Sequence, residues 1–293
     1  MKHRCGTIAL AGRPNTGKSS LLNRLVGEKL SIVSPRAQTT RHLVTGIVTT
    51  PDCQYVFVDS PGMQSRHGGK LNRALNLRAG EAAGGADVVG WVLEALRLSE
   101  ADREALAGVP ADGKVVAVVN QIDRVRPRQK LIPFLARVAG EREFAAIVPV
   151  SAATGENCEA LLAALRDVLP EAAAIYPPDQ LTDRDERFFA AELLREQLFR
   201  TLGEELPYAC EVEIASFREE GRLRRIEATI WVARDSHKPI VLGEKGERLK
   251  QMATAARKGM ETLFGGKVYL GTWIKVKRGW SEDDRLLRSL GHR

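Results

Sequence analysis

The sequence predicts an α/β protein with a mostly parallel sheet, followed by a smaller α+β module. Three observations predict it. Short apolar runs alternate with helical patterns up to about residue 170, the order of elements changes after a proline-containing break, and the stretch 222–278 beyond that break is strongly basic. A length of 293 residues also exceeds the usual span of one compact domain.

In the first part the apolar runs are residues 7–11, 55–58, 88–93, 115–119 and 145–150. Nearly continuous Val, Ile and Leu suit strands buried on both faces of a parallel sheet with helices on either side. The tract 170–185, with Tyr176-Pro177-Pro178-Asp179, breaks this alternation and reads as a linker. Beyond it a long amphipathic helix is expected near 187–202, strands over 209–217 and 225–233, a turn at 243–246, a helix over 247–263 and a last strand over 267–277. The expected domains are 1–172 and 186–293, the second with a basic C-terminal tail, joined by a linker over 173–185.

Composition excludes several classes. With 44% hydrophobic and 28% charged residues the chain is ordinary for a globular protein, and its apolar runs fall well short of the roughly 20 residues a membrane-spanning helix needs. The four cysteines at positions 5, 53, 158 and 210 form no CxxC pair, against a disulfide scaffold or a structural zinc site. Gly6, Gly12, Arg13 and Pro14 break the first apolar stretch, which makes it a poor signal peptide and predicts a cytoplasmic protein. Residues 222–278 hold 14 Lys and Arg against 5 Asp and Glu, a net of +9, whereas the rest of the chain carries −2 of the total +7. A concentrated basic region on a balanced body points to a polyanionic partner, nucleic acid or an anionic membrane surface.

Gly12-Arg13-Pro14-Asn15-Thr16-Gly17-Lys18-Ser19 fits GxxxxGK[ST], with an apolar strand before it and a helical pattern from Ser20 after it. In such a loop the backbone N–H groups and the helix N-terminus cradle phosphates, Lys18 reaches the β- and γ-phosphates, and the Ser19 hydroxyl coordinates Mg²⁺. Three motifs follow at strand ends. Asp59-Ser60-Pro61-Gly62 offers a carboxylate that can hold Mg²⁺ through water and a glycine N–H that senses the γ-phosphate. Asn120-Gln121-Ile122-Asp123 offers a carboxylate that accepts two hydrogen bonds from guanine, a donor pair adenine lacks. Ser151-Ala152-Ala153 offers the Ala152 N–H to the guanine oxygen. Four such motifs in this order make a GTP site.

With these motifs the chain resembles the Era family of bacterial Ras-like GTPases. The resemblance implies a Ras-like P-loop GTPase domain, and it assigns the segment 34–42 to the first switch, with Thr40 in preference to Thr39 as the Mg²⁺ ligand present with the γ-phosphate. It also implies a potassium ion held with Asn15 beside the phosphates. Lys18, Thr40 and Gly62 are then the residues nearest the chemistry. The chain departs from the family at Gln121, where lysine is usual, and at Ser60, where threonine is usual. Lysine there packs its stem over guanine and braces the phosphate loop, so its loss predicts weaker nucleotide affinity with guanine preference kept. Met63 stands where Ras-type enzymes carry a catalytic glutamine, and a thioether cannot orient water, which predicts slow intrinsic turnover.

In the basic part, Gly243-Glu244-Lys245-Gly246 is a GxxG turn leading into Arg248 and Lys250. This resembles the KH fold, of type II in this family, whose GxxG loop lies against the backbone of about four single-stranded nucleotides. Lys275 and Lys277 in the last strand add cations. Glu244 opposes a phosphate, leaving Lys245 to supply the attraction. Of the aromatics, Tyr269 and Trp273 at alternating strand positions are expected in the core, and Trp280 at a strand end is expected to stack on a base. The resemblance implies a switch that hydrolyses GTP and binds the 3′ end of small-subunit ribosomal RNA during maturation of that subunit. A monomer that also associates peripherally with the inner membrane is implied with it. The alternatives are an RNA-binding assembly factor with nucleotide as a structural ligand only, and a peripheral membrane GTPase.

Overall fold

The computed structural model describes residues 3–36, 39–62, 70–203 and 205–282. The chain divides into two compact units, the first ending at Asp183 and the second starting at Arg184 and also taking in Ile32–Thr39.

The first unit is a six-stranded sheet in the order β2-β3-β1-β4-β5-β6. Its strands are β1 (Arg4–Ala11), β2 (Val44–Thr49), β3 (Cys53–Asp59), β4 (Val88–Glu94), β5 (Val115–Asn120) and β6 (Ala146–Pro149). All neighbours are parallel except β2, which runs antiparallel to β3. Between the strands lie α1 (Lys18–Val26), α2 (Lys70–Gly84), α3 (Glu100–Ala107), α4 (Leu131–Ala139) and, after β6, α5 (Cys158–Val168). The apolar runs of β1, β3, β4 and β5 are almost wholly buried, as a sheet covered on both faces requires, whereas the edge run 145–150 buries only Val148 and Val150. Trp91 on β4 is fully buried, stacks on Phe144 at 5.6 Å and donates its indole N–H to Asp102 O at 3.1 Å.

Strand β2 has no counterpart among the runs read from the sequence. Its segment VTGIVT carries two threonines and is interrupted by Gly46. That glycine is required, because a Cβ there would lie 2.6 Å from Leu22 Cδ1 and 2.8 Å from Val26 Cγ2 of α1. The missing side chain lets the helix that follows the phosphate loop lie close on the sheet.

The proline-containing tract is laid along the first unit. Cys5 N–H donates to Pro170 O, and Ala172 N–H to His3 O. The fully buried Gln54 side chain accepts from the Ile175 and Tyr176 N–H groups at 2.7 and 2.9 Å and donates to Tyr176 O at 2.8 Å. Ile47 N–H donates to Leu181 O, and Thr182 Oγ1 to Thr45 O at 2.7 Å. Residues 172–182 thus form a strap fastened by backbone groups and the Thr182 hydroxyl to one buried amide and one strand.

The second unit has the order α6 (Glu186–Thr201), β7 (Cys210–Glu220), β8 (Leu223–Val232), α7 (His237–Leu242), α8 (Glu247–Phe264), β9 (Lys267–Val276). Asp185 caps α6, its carboxylate accepting from Phe188 N–H at 2.8 Å. In the sheet β7-β8-β9, β7 and β8 are antiparallel and β8 and β9 parallel. Ile226, Ala228, Ile230 and Val232 of β8 are buried, as are Met252, Ala256, Met260 and Phe264 on one stripe of α8.

Candidate functional site

The phosphate loop joins β1 to α1. Gly12 has φ +148°, and a Cβ on it would sit 2.3 Å from Val92 O. Gly17, at φ +94°, occupies the N-cap of α1, and a Cβ there would sit 2.4 Å from Asn120 Nδ2. Both glycines are demanded by close approach as well as by conformation. Thr16 Oγ1 donates to Arg13 O at 3.2 Å, closing the turn. Arg13 turns its side chain away to Glu94 at 2.6 Å and Asp102 at 3.0 Å, fastening the loop to β4 and α3.

Lys18 opens α1 and is buried, its Nζ donating to Gly12 O and Arg13 O, each at 2.9 Å. Burial and the neighbouring Arg13 push its pKa down to about 8, against the pull of Asp59 and Asp102. Ser19, Thr40 and Asp59, the residues expected to hold Mg²⁺, are brought together. Ser19 Oγ donates to Asp59 Oδ2 at 2.6 Å and lies 3.0 Å from Thr40 Oγ1. Thr39 faces elsewhere, to Ser34 Oγ at 2.5 Å and Arg36 O at 2.8 Å. Ser31 Oγ also donates to Asp59 Oδ2, at 2.9 Å. Asp59 Oδ1 is buried without a hydrogen-bond partner, and burial raises this carboxyl's pKa despite the two hydroxyls and Lys18. An orphaned carboxylate oxygen beside two hydroxyls is a hard-oxygen donor set that fits Mg²⁺, with the remaining ligands left to phosphate and water.

Ser60 Oγ donates to Leu10 O at 3.0 Å, so this side chain fastens the strand end. Pro61 follows, and Gly62 lies so close to the loop that a Cβ would be 2.7 Å from Pro14 N. Met63 lies outside the described residues, as do Ala37 and Gln38 of the first-switch segment.

At the base-reading end, Asn120 ties the motifs together. Its Nδ2 donates to Thr16 O at 2.9 Å, and its Oδ1 accepts from Gln121 N–H at 2.8 Å and Ala152 N–H at 3.0 Å. The Ala152 N–H, read from the sequence as a donor to guanine, is therefore directed at Asn120, whose amide oxygen is within reach. Ser151 Oγ donates to Asp123 Oδ1 at 2.7 Å and so orients that carboxylate. Ala153 is exposed, and Ser20 follows Ser19 in the first turn of α1. Gln121 differs from expectation: its Nε2 donates to Asn15 O at 3.3 Å, so a contact to the phosphate loop is made by a neutral amide.

One residue here carries no motif signal. Arg24, on the second turn of α1, donates through Nε to Ala152 O at 3.0 Å and through Nη2 to Ala153 O at 2.5 Å. Only its place six residues after Lys18, on the helix beside the base loop, marks it in the sequence.

In the second unit the GxxG segment forms a tight turn between α7 and α8. Gly243 has φ +72°, Lys245 φ +49° and Gly246 φ +81°. A Cβ on Gly243 would meet Arg248 Cβ at 2.5 Å, whereas one on Gly246 would meet nothing within 4 Å. Gly243 is needed for packing, and Gly246 faces open space. Glu244 and Lys245 are exposed. Arg248 Nη1 donates to Ile240 O at 2.5 Å, bracing the turn, and Lys250 stands 3.9 Å from Glu247. Lys275 is exposed, with Nζ 5.8 Å from the centre of the Trp231 ring, and Lys277 donates its N–H to Val232 O at 2.9 Å.

The aromatic expectations are reversed. Trp280 is 0% exposed and donates its indole N–H to Ala209 O at 3.0 Å, so its ring is closed to a base. Tyr269 and Trp273 are 46% and 63% exposed. Strand alternation explains this: the buried Val268 fixes the core side of β9, and odd positions face solvent. Trp273 donates to Glu227 at 3.2 Å, and Arg225 lies 4.7 Å from the centre of the Tyr269 ring.

Comparison with known proteins adds the following. A family model described as 50S ribosome-binding GTPase matches residues 7–121, and a KH domain model matches residues 205–281. The chain is 49% identical over 287 residues to GTPase Era of Chromobacterium violaceum, covering 98% of this chain and 97% of that protein. It is 50% identical over 291 residues to GTPase Era of Neisseria meningitidis, covering 99% and 95%. A crystal structure of a variant of Aquifex aeolicus Era bound to GDP and AlF4⁻ superposes with a TM-score of 0.95 at 33% identity, covering 99% of both chains. A structure of Era in complex with MgGDPNP and nucleotides 1506–1542 of 16S ribosomal RNA gives 0.91 at 32% identity, again over 99% of each.

Proposed function

Because this chain belongs to the Era family of GTPases, we propose that it is a GTP-hydrolysing switch that binds the 3′ end of small-subunit ribosomal RNA and acts in maturation of that subunit. The observation that carries the enzymatic half is the Ser19–Thr40–Asp59 cluster beside the Lys18-closed loop. Lys18 supplies its ammonium to the β- and γ-phosphates, and the first-turn N–H groups of α1 supply partial positive charge. Thr40 and Gly62 are the contacts that depend on the γ-phosphate, one from each switch. Ser19, Thr40 and, through water, Asp59 would hold Mg²⁺, which would supply positive charge to the transferring phosphoryl group. No side-chain base is assigned, and turnover in the absence of a partner is slow.

Potassium beside Asn15 belongs to the same proposal, since a neutral amide oxygen is a donor suited to that ion. Asp123, oriented by Ser151, reads the guanine edge. For RNA, the open space at Gly246 and the exposed Lys245 support approach of a sugar-phosphate backbone, and Trp273 and Tyr269 replace Trp280 as the aromatic platform. Among the described residues no helix is long and apolar enough to cross a membrane.

Single-turnover GTP hydrolysis tests the reading, measured with and without RNA spanning the 3′ end of the small-subunit ribosomal RNA, alongside RNA affinity in the GDP- and GDPNP-bound forms. The expected result is slow hydrolysis and tighter RNA binding with GDPNP. Hydrolysis without any effect of nucleotide on RNA binding would leave a GTPase and remove the switch.

A further inference from the structure

Arg124 directly follows Asp123 and belongs to none of the nucleotide motifs. It closes a 3-10 turn over Ile122–Arg124, its N–H donating to Gln121 O at 3.1 Å. That turn folds its side chain back, and Nη1 donates to Gln121 Oε1 at 2.6 Å. The guanidinium offers only donors, so the Gln121 atom facing it must be the amide oxygen. The amide nitrogen is then left to face Asn15 O, an acceptor, at 3.3 Å. Both ends of the Gln121 amide are thereby specified: a donor-only cation on one side and a loop carbonyl on the other.

Resting on the nucleotide-binding reading above, we propose that Arg124 is a positioning residue for the guanine nucleotide: it fixes the orientation of Gln121 so that a neutral amide braces the phosphate loop where relatives use a lysine. The terminal torsion of a glutamine is broad and roughly two-fold, so an unheld Gln121 amide turns freely. With oxygen and nitrogen exchanged it would set its oxygen against the Asn15 carbonyl. Lysine needs no such partner, because every proton of its ammonium is a donor. The size of one substitution's effect therefore depends on the other. In the parent, Gln121→Lys places an ammonium next to the Arg124 guanidinium and gains little. Without Arg124, the same lysine restores the brace unopposed.

The test is dissociation of N-methylanthraniloyl-GDP from the full chain, chased with excess unlabelled GDP at fixed Mg²⁺ and salt. Arg124→Ala is expected to speed dissociation about tenfold, equivalent to 1.4 kcal/mol, with the melting midpoint of the nucleotide-free protein unchanged. Arg124→Lys, which keeps a donor, is expected within about threefold of the parent. Adding Gln121→Lys to Arg124→Ala should return the rate to about that of the parent, while Gln121→Lys alone gives a clearly smaller gain, the non-additivity of a coupled pair. Should Arg124→Ala fold poorly, Arg124→Met keeps the apolar stem and takes its place. Dissociation unchanged within twofold in Arg124→Ala, or equal effects of Gln121→Lys in both backgrounds, would overturn the proposal. A parent that binds ADP as well as GDP would instead overturn the guanine-site reading beneath it.

Discussion

The Lys18 ammonium rests on two loop carbonyls, so phosphate oxygens must offer it at least as good a setting when they enter. Lys18→Ala empties that position, and Ser19→Ala removes the hydroxyl that reaches both Asp59 and Thr40. Neither has a neighbour able to substitute, and phosphate release under multiple turnover should be lost in both. Asp123→Asn should weaken GTP binding by on the order of 10²-fold, the loss of two hydrogen bonds to a charged group, as read by isothermal titration. That these residues converge was legible in the sequence because backbone geometry fixes their spacing. Arg24 and Arg124 were not, because each acts on carbonyl or amide groups of a distant or folded-back segment, and an arginine that pins a carbonyl leaves no periodicity. Trp280 misled because a position at a strand end says nothing about which way an indole ring turns.

At the scale of elements, the strands with continuous apolar runs were legible, and β2 was not, since two of its six residues are threonines and its glycine reads as a break. The same glycine gives a prediction. Gly46→Val would press methyl groups into Leu22 and Val26 of α1 and should cost about 1–3 kcal/mol, measurable by denaturant unfolding, with nucleotide affinity falling as α1 shifts. The two glycines of the GxxG turn should part in the opposite way. Gly243→Ala collides with Arg248 and should lower the melting temperature. Gly246→Asp meets no neighbour, and aspartate tolerates the left-handed conformation better than most residues. It should lower melting less than Gly243→Ala, by the left-handed strain at φ +81° alone, and weaken binding of single-stranded ribosomal RNA at least tenfold, with GTP binding unaffected. Unaltered RNA affinity in Gly246→Asp would make the turn purely structural.

For the whole molecule, the basic stretch 222–278 was legible from residue counts alone, whereas the fate of the proline-containing tract was not. A run of Pro, Asp and Tyr carries no apolar signature, and apart from the Thr182 hydroxyl it is fastened by backbone groups that any sequence possesses. Its partner, Gln54, is polar within the strand-like run of β3 and gives no sign of being fully buried. A chain ending after Ala172 should therefore be less stable than one ending after Asp183. It removes three of the hydrogen bonds of the Gln54 amide and leaves it Thr49 Oγ1 at 3.0 Å and the weak Cys5 Sγ donor, a loss of about 1–3 kcal/mol in all and roughly 2–4 °C of melting temperature per kcal/mol, by differential scanning calorimetry.

That strap also sets an order of events during synthesis. The phosphate loop, the base-reading motif and the Ser151–Ala153 segment all precede it in the chain, so every residue assigned to GTP has left the ribosome before Ile175 and Tyr176 can reach Gln54. At about 5–20 residues per second the interval lasts on the order of a second. A nascent chain can therefore hold guanine nucleotide while the far edge of its sheet is still open, and the bound nucleotide stabilises the unit by mass action until the strap arrives. Arrested chains exposing residues up to 172 should retain labelled GDP, and those exposing residues up to 183 should in addition resist protease.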